Sequence, residues 1–389
     1  MKKLYRFIML AMLLVLFDGC TKGKENKEEP SVTLKPTSQA VVSQPEVTKP
    51  VTTMPSVTLP PNPQQGSNTD NGSQQDKELA KYLFMPAGSE YVYEGDGNEY
   101  AAFQSTVDYI NSEKNIIQVR SNNGGTETVE VIQVKDGKLV TTYREDECYY
   151  RDNFFDKVLA DKDQEVLLMN PLKVGTKWTL GDGTKRSITS IDSKVKTPSG
   201  DYGAIEVTSV NKDGTEKEYY AQGVGLVKKV YESGKTKVTS ILSKINKNKP
   251  FIQKINVYYP DKDEKIHVEQ LTLSLNTNDV TRIVLEKALR EKAKSEDYLP
   301  IISTNTKINS MHKGKDGIAY IDFSGEFIHE MSSGSGYESL ILQCITNTVG
   351  NYYDTSKVYI TIDGKLYESG HIIMKKGETF KVNMKNVVK

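Results

Sequence analysis

Ile318-Ala319-Tyr320-Ile321-Asp322-Phe323-Ser324-Gly325-Glu326-Phe327 reads as a strand ending at an aspartate, and the C-terminal third of the chain organises around it. Before it, the turn Lys313-Gly314-Lys315-Asp316-Gly317 joins it to a strand around 306–311, so the two form a hairpin. After it, Ser335-Gly336-Tyr337-Glu338 has the spacing of a capping box, in which a hydroxyl and a carboxylate each satisfy an orphan N–H. The helix it opens places Tyr337, Ile341, Cys344, Ile345 and Thr348 on one buried face, with Gly350 as its stop. Val358, Ile360 and Ile362 then alternate as a last strand ending at Asp363-Gly364. Further upstream, Ile255, Val257 and Tyr259 alternate, and Pro260-Asp261-Lys262-Asp263 turns the chain into a strand carrying Ile266 and Val268. Asn278 is positioned to cap a helix with an apolar stripe of Val280, Ile283, Val284, Ala288 and Leu289, which Tyr298-Leu299-Pro300 terminates. The order is ββαββαβ, an α+β layer with both helices on one side of a sheet.

Residues 78–248 carry a different signal. Short strands are separated by turn sequences every ten residues or so, among them Gly95-Asp96-Gly97-Asn98, Asn122-Asn123-Gly124-Gly125 and Asp136-Gly137. Such spacing predicts a mostly antiparallel sheet, sandwich or half-barrel, with a helical turn or two between Phe154 and Leu168. The chain has 22 Tyr against 10 Phe and one Trp, which suits half-buried strands where a ring with a polar tip packs well.

The first twenty residues are not part of a fold. Lys2, Lys3 and Arg6 precede an apolar run from Phe7 to Phe17, too short for the roughly 20 residues that span a bilayer as a helix. Residues 1–20 therefore read as a signal peptide. Its end, Leu16-Phe17-Asp18-Gly19-Cys20, resembles the bacterial lipobox at Gly19 and Cys20 and departs from it at Phe17 and Asp18. That resemblance implies lipid attachment at Cys20 and a place on the outer face of the cell membrane. Residues 21–77 are rich in Pro, Thr, Ser and Gln and carry no helical or strand period, so they read as a disordered tether. The globular region is then 78–248 followed by 249–389.

The motifs of the last segment, taken in order, resemble the GerMN domain found in sporulation and germination lipoproteins. Ile318–Phe327 is similar to its strand ending in an aspartate and a serine, and the helix within 334–348 follows as it does in that family. Val358-Tyr359-Ile360-Thr361-Ile362-Asp363-Gly364 and Ser369-Gly370-His371 are similar to its closing strand and the small motif after it. The resemblance implies an envelope protein that makes protein–protein contacts, in assemblies formed during sporulation, and not an enzyme.

The residues themselves support no catalytic reading. His267, His312, His329 and His371 are scattered, and His329-Glu330 lacks the second histidine that a zinc protease needs. Ser310-Met311-His312-Lys313 and Ser193-Lys194-Val195-Lys196 both match S-x-x-K without the companion motifs of penicillin-binding enzymes. Asp261, Asp263 and Glu264 lack the spacing of a calcium loop, and Gly334-Ser335-Gly336 lacks a phosphate-loop lysine. Asp322 and Asp363 suit strand ends, where carboxylates accept turn N–H bonds. Cys148 and Cys344 read as buried or idle thiols; a bridge that would tie the two globular regions together stays open, because spacing gives no geometry for judging it. Lys plus Arg and Asp plus Glu each total 51, so the chain lacks the basic excess of a nucleic-acid binder. No cofactor or metal is expected. The partners expected are the membrane, other envelope proteins and peptidoglycan. The alternatives are a glycan-binding protein or regulator of a cell-wall enzyme, with the tyrosines of 78–248 as its grip, and a solute- or lipid-binding lipoprotein.

Overall fold

Strand-forming residues interrupted by tight turns build the first half of the molecule, in a computed structural model that describes residues 70–83, 85–291, 296–331 and 334–388. Residues 1–69, which hold the expected signal peptide, Cys20 and most of the expected tether, lie outside the described residues. Helix α1 (Asp70–Ala80) begins inside the segment read as disordered, which corrects the tether's end. Its order comes from docking: Leu79 and Leu83 are buried against Ile117, Val119 and Leu139, and Asp76 accepts the Gly137 N–H at 2.8 Å. Nothing local to the polar sequence announces such a helix.

Twelve strands follow: β1 (Glu90–Asp96), β2 (Phe103–Asn111), β3 (Ile116–Asn122), β4 (Glu127–Lys135), β5 (Lys138–Asp146), β6 (Glu165–Met169), β7 (Lys177–Thr179), β8 (Lys185–Thr197), β9 (Gly200–Val210), β10 (Thr215–Ala221), β11 (Gly225–Ser233) and β12 (Thr236–Asn246). They form one antiparallel sheet in the order β6-β5-β4-β3-β2-β1-β12-β11-β10-β9-β8-β7. Its two halves are meanders that meet where β1 pairs with β12. The Asp136-Gly137 turn between β4 and β5 has positive φ at both residues, as a tight hairpin requires. Between Phe154 and Leu168 only a 3₁₀ turn forms, at Asp161–Asp163, before β6 begins. The sheet curls until its edge strands approach. Trp178 Nε1 on β7 and Arg186 Nη1 on β8 both donate to the Val166 carbonyl on β6, at 3.0 and 2.9 Å. Side chains thus cover part of an edge that would otherwise expose unpaired backbone.

The second half contains β13 (Phe251–Pro260), β14 (Ile266–Leu275), α2 (Thr281–Arg290), β15 (Ile308–Lys313), β16 (Ala319–Phe323), α3 (Glu326–His329), α4 (Ser335–Tyr353), β17 (Lys357–Ile362), β18 (Lys365–Leu366) and β19 (Phe380–Lys381). The principal elements follow the expected ββαββαβ order, but not in one sheet. β13 and β14 form a two-stranded sheet, with Ile266 also bridging Val387 near the C-terminus, while β15-β16-β17-β18, with β19 on β17, make a separate sheet. β16 and β17 run parallel, and α4 is the crossover between them.

Helix α4 is buried nearly all round, from Leu340 to Leu342 and from Cys344 to Gly350, so the single buried face read from its sequence is too narrow. It serves the hairpin as well as the sheet, and the Thr348 hydroxyl accepts the Tyr258 N–H of β13 at 3.1 Å. Gly350 does not end α4, which runs on to Tyr353 and closes at Asp354 in a left-handed conformation. Gly350 instead permits close packing. A Cβ there would lie 2.3 Å from Val382 Cγ2 and 2.8 Å from the Thr355 carbonyl. One hydrophobic core joins this half to the outer face of β3 and β4, with Ile116, Val129 and Val131 packed among Ile255, Tyr353 and their neighbours. The described residues accordingly belong to a single compact unit.

Candidate functional site

A dense hydrogen-bond network spans the seam between the twelve-stranded sheet and the α+β half, built around Cys148-Tyr149-Tyr150-Arg151-Asp152-Asn153-Phe154. On one side, β2 bulges between Val107 and Tyr109, which frees the backbone of Asp108 from the ladder. Arg151, 1% exposed, fills the gap. Its Nε donates to Asp108 Oδ1 at 3.2 Å and its Nη2 to the Asp108 carbonyl at 2.7 Å. The same guanidinium reaches the carbonyls of Asn276 at 3.0 Å and Asp279 at 2.5 Å, just before α2. Arg120 flanks Asp108 from the other side at 3.0 Å, so one buried carboxylate serves two buried arginines. The backbone around Arg151 is held in turn: its N–H donates to Tyr352 and its carbonyl accepts from Thr281.

Asn278, expected to cap α2, does not. Its side chain accepts the Ile110 N–H at 2.8 Å and donates to the Ile110 carbonyl at 3.1 Å, pairing with β2 like an added strand residue. Thr277 beside it donates to the Val107 carbonyl and accepts from the Gly88 N–H. The segment from Asn276 to Asp279 is therefore a docking strip, and α2 starts at Thr281 without a side-chain cap.

Next to this clamp lies an open cleft of about 720 Å³, formed where Tyr143, Glu145 and Lys157 of the sheet half face Lys313 and Lys315 of the α+β half. The Glu145 carboxylate accepts both tyrosine hydroxyls, from Tyr143 at 2.5 Å and Tyr150 at 2.7 Å. The Lys157 amine rests 4.3 Å from the centre of the Phe154 ring, and the Lys313 amine 5.3 Å from that of Tyr150. Asp152 anchors the far wall, accepting the Tyr353 hydroxyl at 2.9 Å and the Lys313 N–H at 3.3 Å. Burial, only partly offset by those bonds, pushes its carboxyl above the usual range.

Of the residues singled out from sequence, Cys148 lies in the seam and Lys313 lines the cleft, while the others lie elsewhere, with Asp322 beside Asp363 and Asp261 beside His267. Asp322 accepts the Thr361 hydroxyl and the Gly364 N–H, and Asp363 accepts the Gly325 N–H, so both bind turns in the manner expected for strand ends. Asn309 bridges the two carboxylates. Ser324 accepts the Lys307 N–H. His267 is held by Asp261 at 2.7 Å and stacks on Tyr298, while His312 stacks on Tyr320. Among the described residues no group of three His, Cys, Asp or Glu side chains could hold a metal ion. Cys148 and Cys344 are free and buried, and burial pushes both thiols up, that of Cys148 to about 12.

The capping box is overturned. Ser335 makes no side-chain cap, and Glu338 is buried. It accepts the Tyr367 hydroxyl at 2.7 Å and pairs with His371 Nδ1 at 2.9 Å. Burial acts to raise the Glu338 carboxyl, but bonds from Ser369, Tyr367 and His371 outweigh it and hold the group below its ordinary 4.5. The Ser369-Gly370-His371 motif is thus the lock on the helix at Glu338. Sequence reading missed Asp108, Arg120 and Arg151. Their one local signal was the density of aromatic and charged residues from Tyr149 to Phe155.

This architecture defines a class: a parallel β16–α4–β17 crossover domain fused to an antiparallel sheet. Among the described residues no helix is long and apolar enough to cross a membrane. Residues 256–368 match the family model of Germane, described as sporulation and spore germination, so the chain carries a domain of that family. Of solved structures, the first GerMN domain of the sporulation protein GerM from Bacillus subtilis is 24% identical, with 33% of this chain and 96% of that one covered and a TM-score of 0.26. The tandem GerMN domains of the same protein give 19% identity, 33% and 46% coverage, and a TM-score of 0.25, so the match takes in about half of that chain. A protein described as a lipoprotein from Clostridium perfringens gives 19% identity over 34% and 88% of the two chains, with a TM-score of 0.23. A search of curated proteins returned no match.

Proposed function

We propose that this chain is an envelope protein, held by lipid at Cys20 on the extracytoplasmic side of the membrane, that binds or assembles with other envelope proteins in sporulation or germination. The observation that supports the reading most is the Germane domain itself, locked to a second module through Arg151. A head whose halves share one core presents its outer surfaces in fixed relation, which suits an assembly component better than a hinged carrier. The polar segment between Cys20 and α1 then acts as reach, holding that head away from the lipid. The reading involves no turnover. It draws support from the turn and packing contacts that occupy Asp322, Ser324, Asp363, His267, His312 and His371.

The test is a crosslinking pull-down of the full chain from sporulating and vegetative cells, with Cys20→Ala as control. Specific envelope proteins should be recovered with the native chain and lost or exchanged in the control, which should also leave the membrane fraction. A monomer without crosslinked partners in either cell state would overturn the reading.

A further inference from the structure

We propose that the seam cleft is a binding site for an oxyanion, a carboxylate or phosphate, carried on a sugar or polyol. Three amines line it: Lys157 from the sheet half, and Lys313 and Lys315 from the α+β half. Among the described residues none of the three makes an ion pair, a state they share with many other lysines of the chain; what distinguishes them is that they converge on one cleft, with Asp152 behind it within electrostatic reach of Lys157. Two of the three are already positioned, since Lys157 sits over Phe154 and Lys313 over Tyr150. A lysine parked on a ring loses less rotamer freedom when it meets a ligand.

Of the carboxylates at the cleft, Glu145 has one oxygen engaged by each tyrosine hydroxyl, Asp156 is exposed, and Asp152 in the far wall is taken up by the Tyr353 hydroxyl and the Lys313 N–H. The three amines would bind an oxyanion through direct charge-assisted hydrogen bonds, and the remaining lone pairs of Glu145 would accept hydroxyls from the sugar or polyol that bears it. The volume, about 720 Å³, falls within the range of small-ligand sites. The site exists only because the halves are clamped. Asp152 ties the end of β15 to the same loop that carries Arg151 and leads to Lys157. It rests on this geometry and not on the assembly reading, and loss of partner capture would leave the following titration unchanged.

The full-length protein in mild detergent is titrated calorimetrically with N-acetylmuramic acid, glycerol phosphate, inorganic phosphate and, as a neutral control, N-acetylglucosamine. At least one anionic probe should bind saturably, and the neutral sugar should not. Lys157→Ala and Lys313→Ala, both on partly exposed side chains, should each weaken that probe about tenfold, the worth of one charge-assisted hydrogen bond. Preference for N-acetylmuramic acid identifies a sugar carboxylate as the source, and preference for the phosphates identifies a phosphate polymer or headgroup. The proposal fails if no anionic probe saturates, if N-acetylglucosamine binds as tightly, or if both alanine variants bind like the wild type. Unchanged thermal melting of the variants separates loss of the site from loss of the fold.

Discussion

Replacing Arg151 by alanine should destabilise the molecule and uncouple its halves. Arg151 is 1% exposed and spends its guanidinium on Asp108 and on three carbonyls, those of Asp108, Asn276 and Asp279. Removing one partner of a buried ion pair costs about 3–5 kcal/mol. Two features set the value within that range. Asp108 keeps Arg120 and Gln118 as donors, at 3.0 and 3.2 Å, which lowers the cost. The abandoned carbonyls raise it, at about 1–3 kcal/mol for each left dry, less where water enters the space. The expected loss is about 4 kcal/mol, a large share of the roughly 5–15 kcal/mol that holds a typical domain together. Urea unfolding can be followed by two probes. Trp178, the single tryptophan, reports the sheet half, and ellipticity at 222 nm draws its larger share from α2 and α4. The wild type should give coincident transitions, because the core is shared. The variant should give an earlier and divided one. Arg151→Lys should recover little, since an ammonium lacks the fork that reaches both sides of the seam. A loss under about 1 kcal/mol with coincident transitions would refute the idea that this side chain locks the halves.

Three further outcomes follow from other contacts. Glu338 titrates below its ordinary 4.5 in the fold, so its contribution is present above that value and is lost as pH falls through the depressed one; thermal melts between about pH 6 and pH 3 should show this slope in the wild type and lose it in Glu338→Gln. Arg186→Leu removes the nearer cation from the buried Glu218, 3.3 Å from the guanidinium, and leaves it only Lys229 at 4.0 Å, so it should cost about 3 kcal/mol by the urea midpoint of Trp178 fluorescence, with Glu218→Gln costing less. Gly350→Ala should destabilise by about 1–3 kcal/mol despite the helix propensity of alanine, because the new methyl meets Val382 and the Thr355 carbonyl; a more stable variant in the same assay would show that α4 can shift.

What the sequence determined by itself was whatever depends on neighbours along the chain. Alternation and a 3.6 period located β13, β14, β17, α2 and α4 as elements but not always their buried faces, since Val268, Val280 and Ile283 are exposed and α2 buries Thr281 and Leu285 along with Leu289. Tight turns such as Asp136-Gly137 divided the sheet half into hairpins. The motifs around Asp322 and Asp363 marked the Germane domain, because they bind local turns and so leave a local trace. The tertiary structure decided which elements share a layer and what the polar residues are for. Asn278 looks like a helix cap until β2 offers it a backbone 168 residues away, and Glu338 looks like a capping-box acid until Tyr367 arrives from 29 residues on. The partners of Arg151 lie 43 and 125 residues away. A residue's local pattern records the secondary structure it permits, whereas the partner of a buried charge is chosen by which distant groups the fold brings within 3 Å, and no spacing in the sequence encodes that distance.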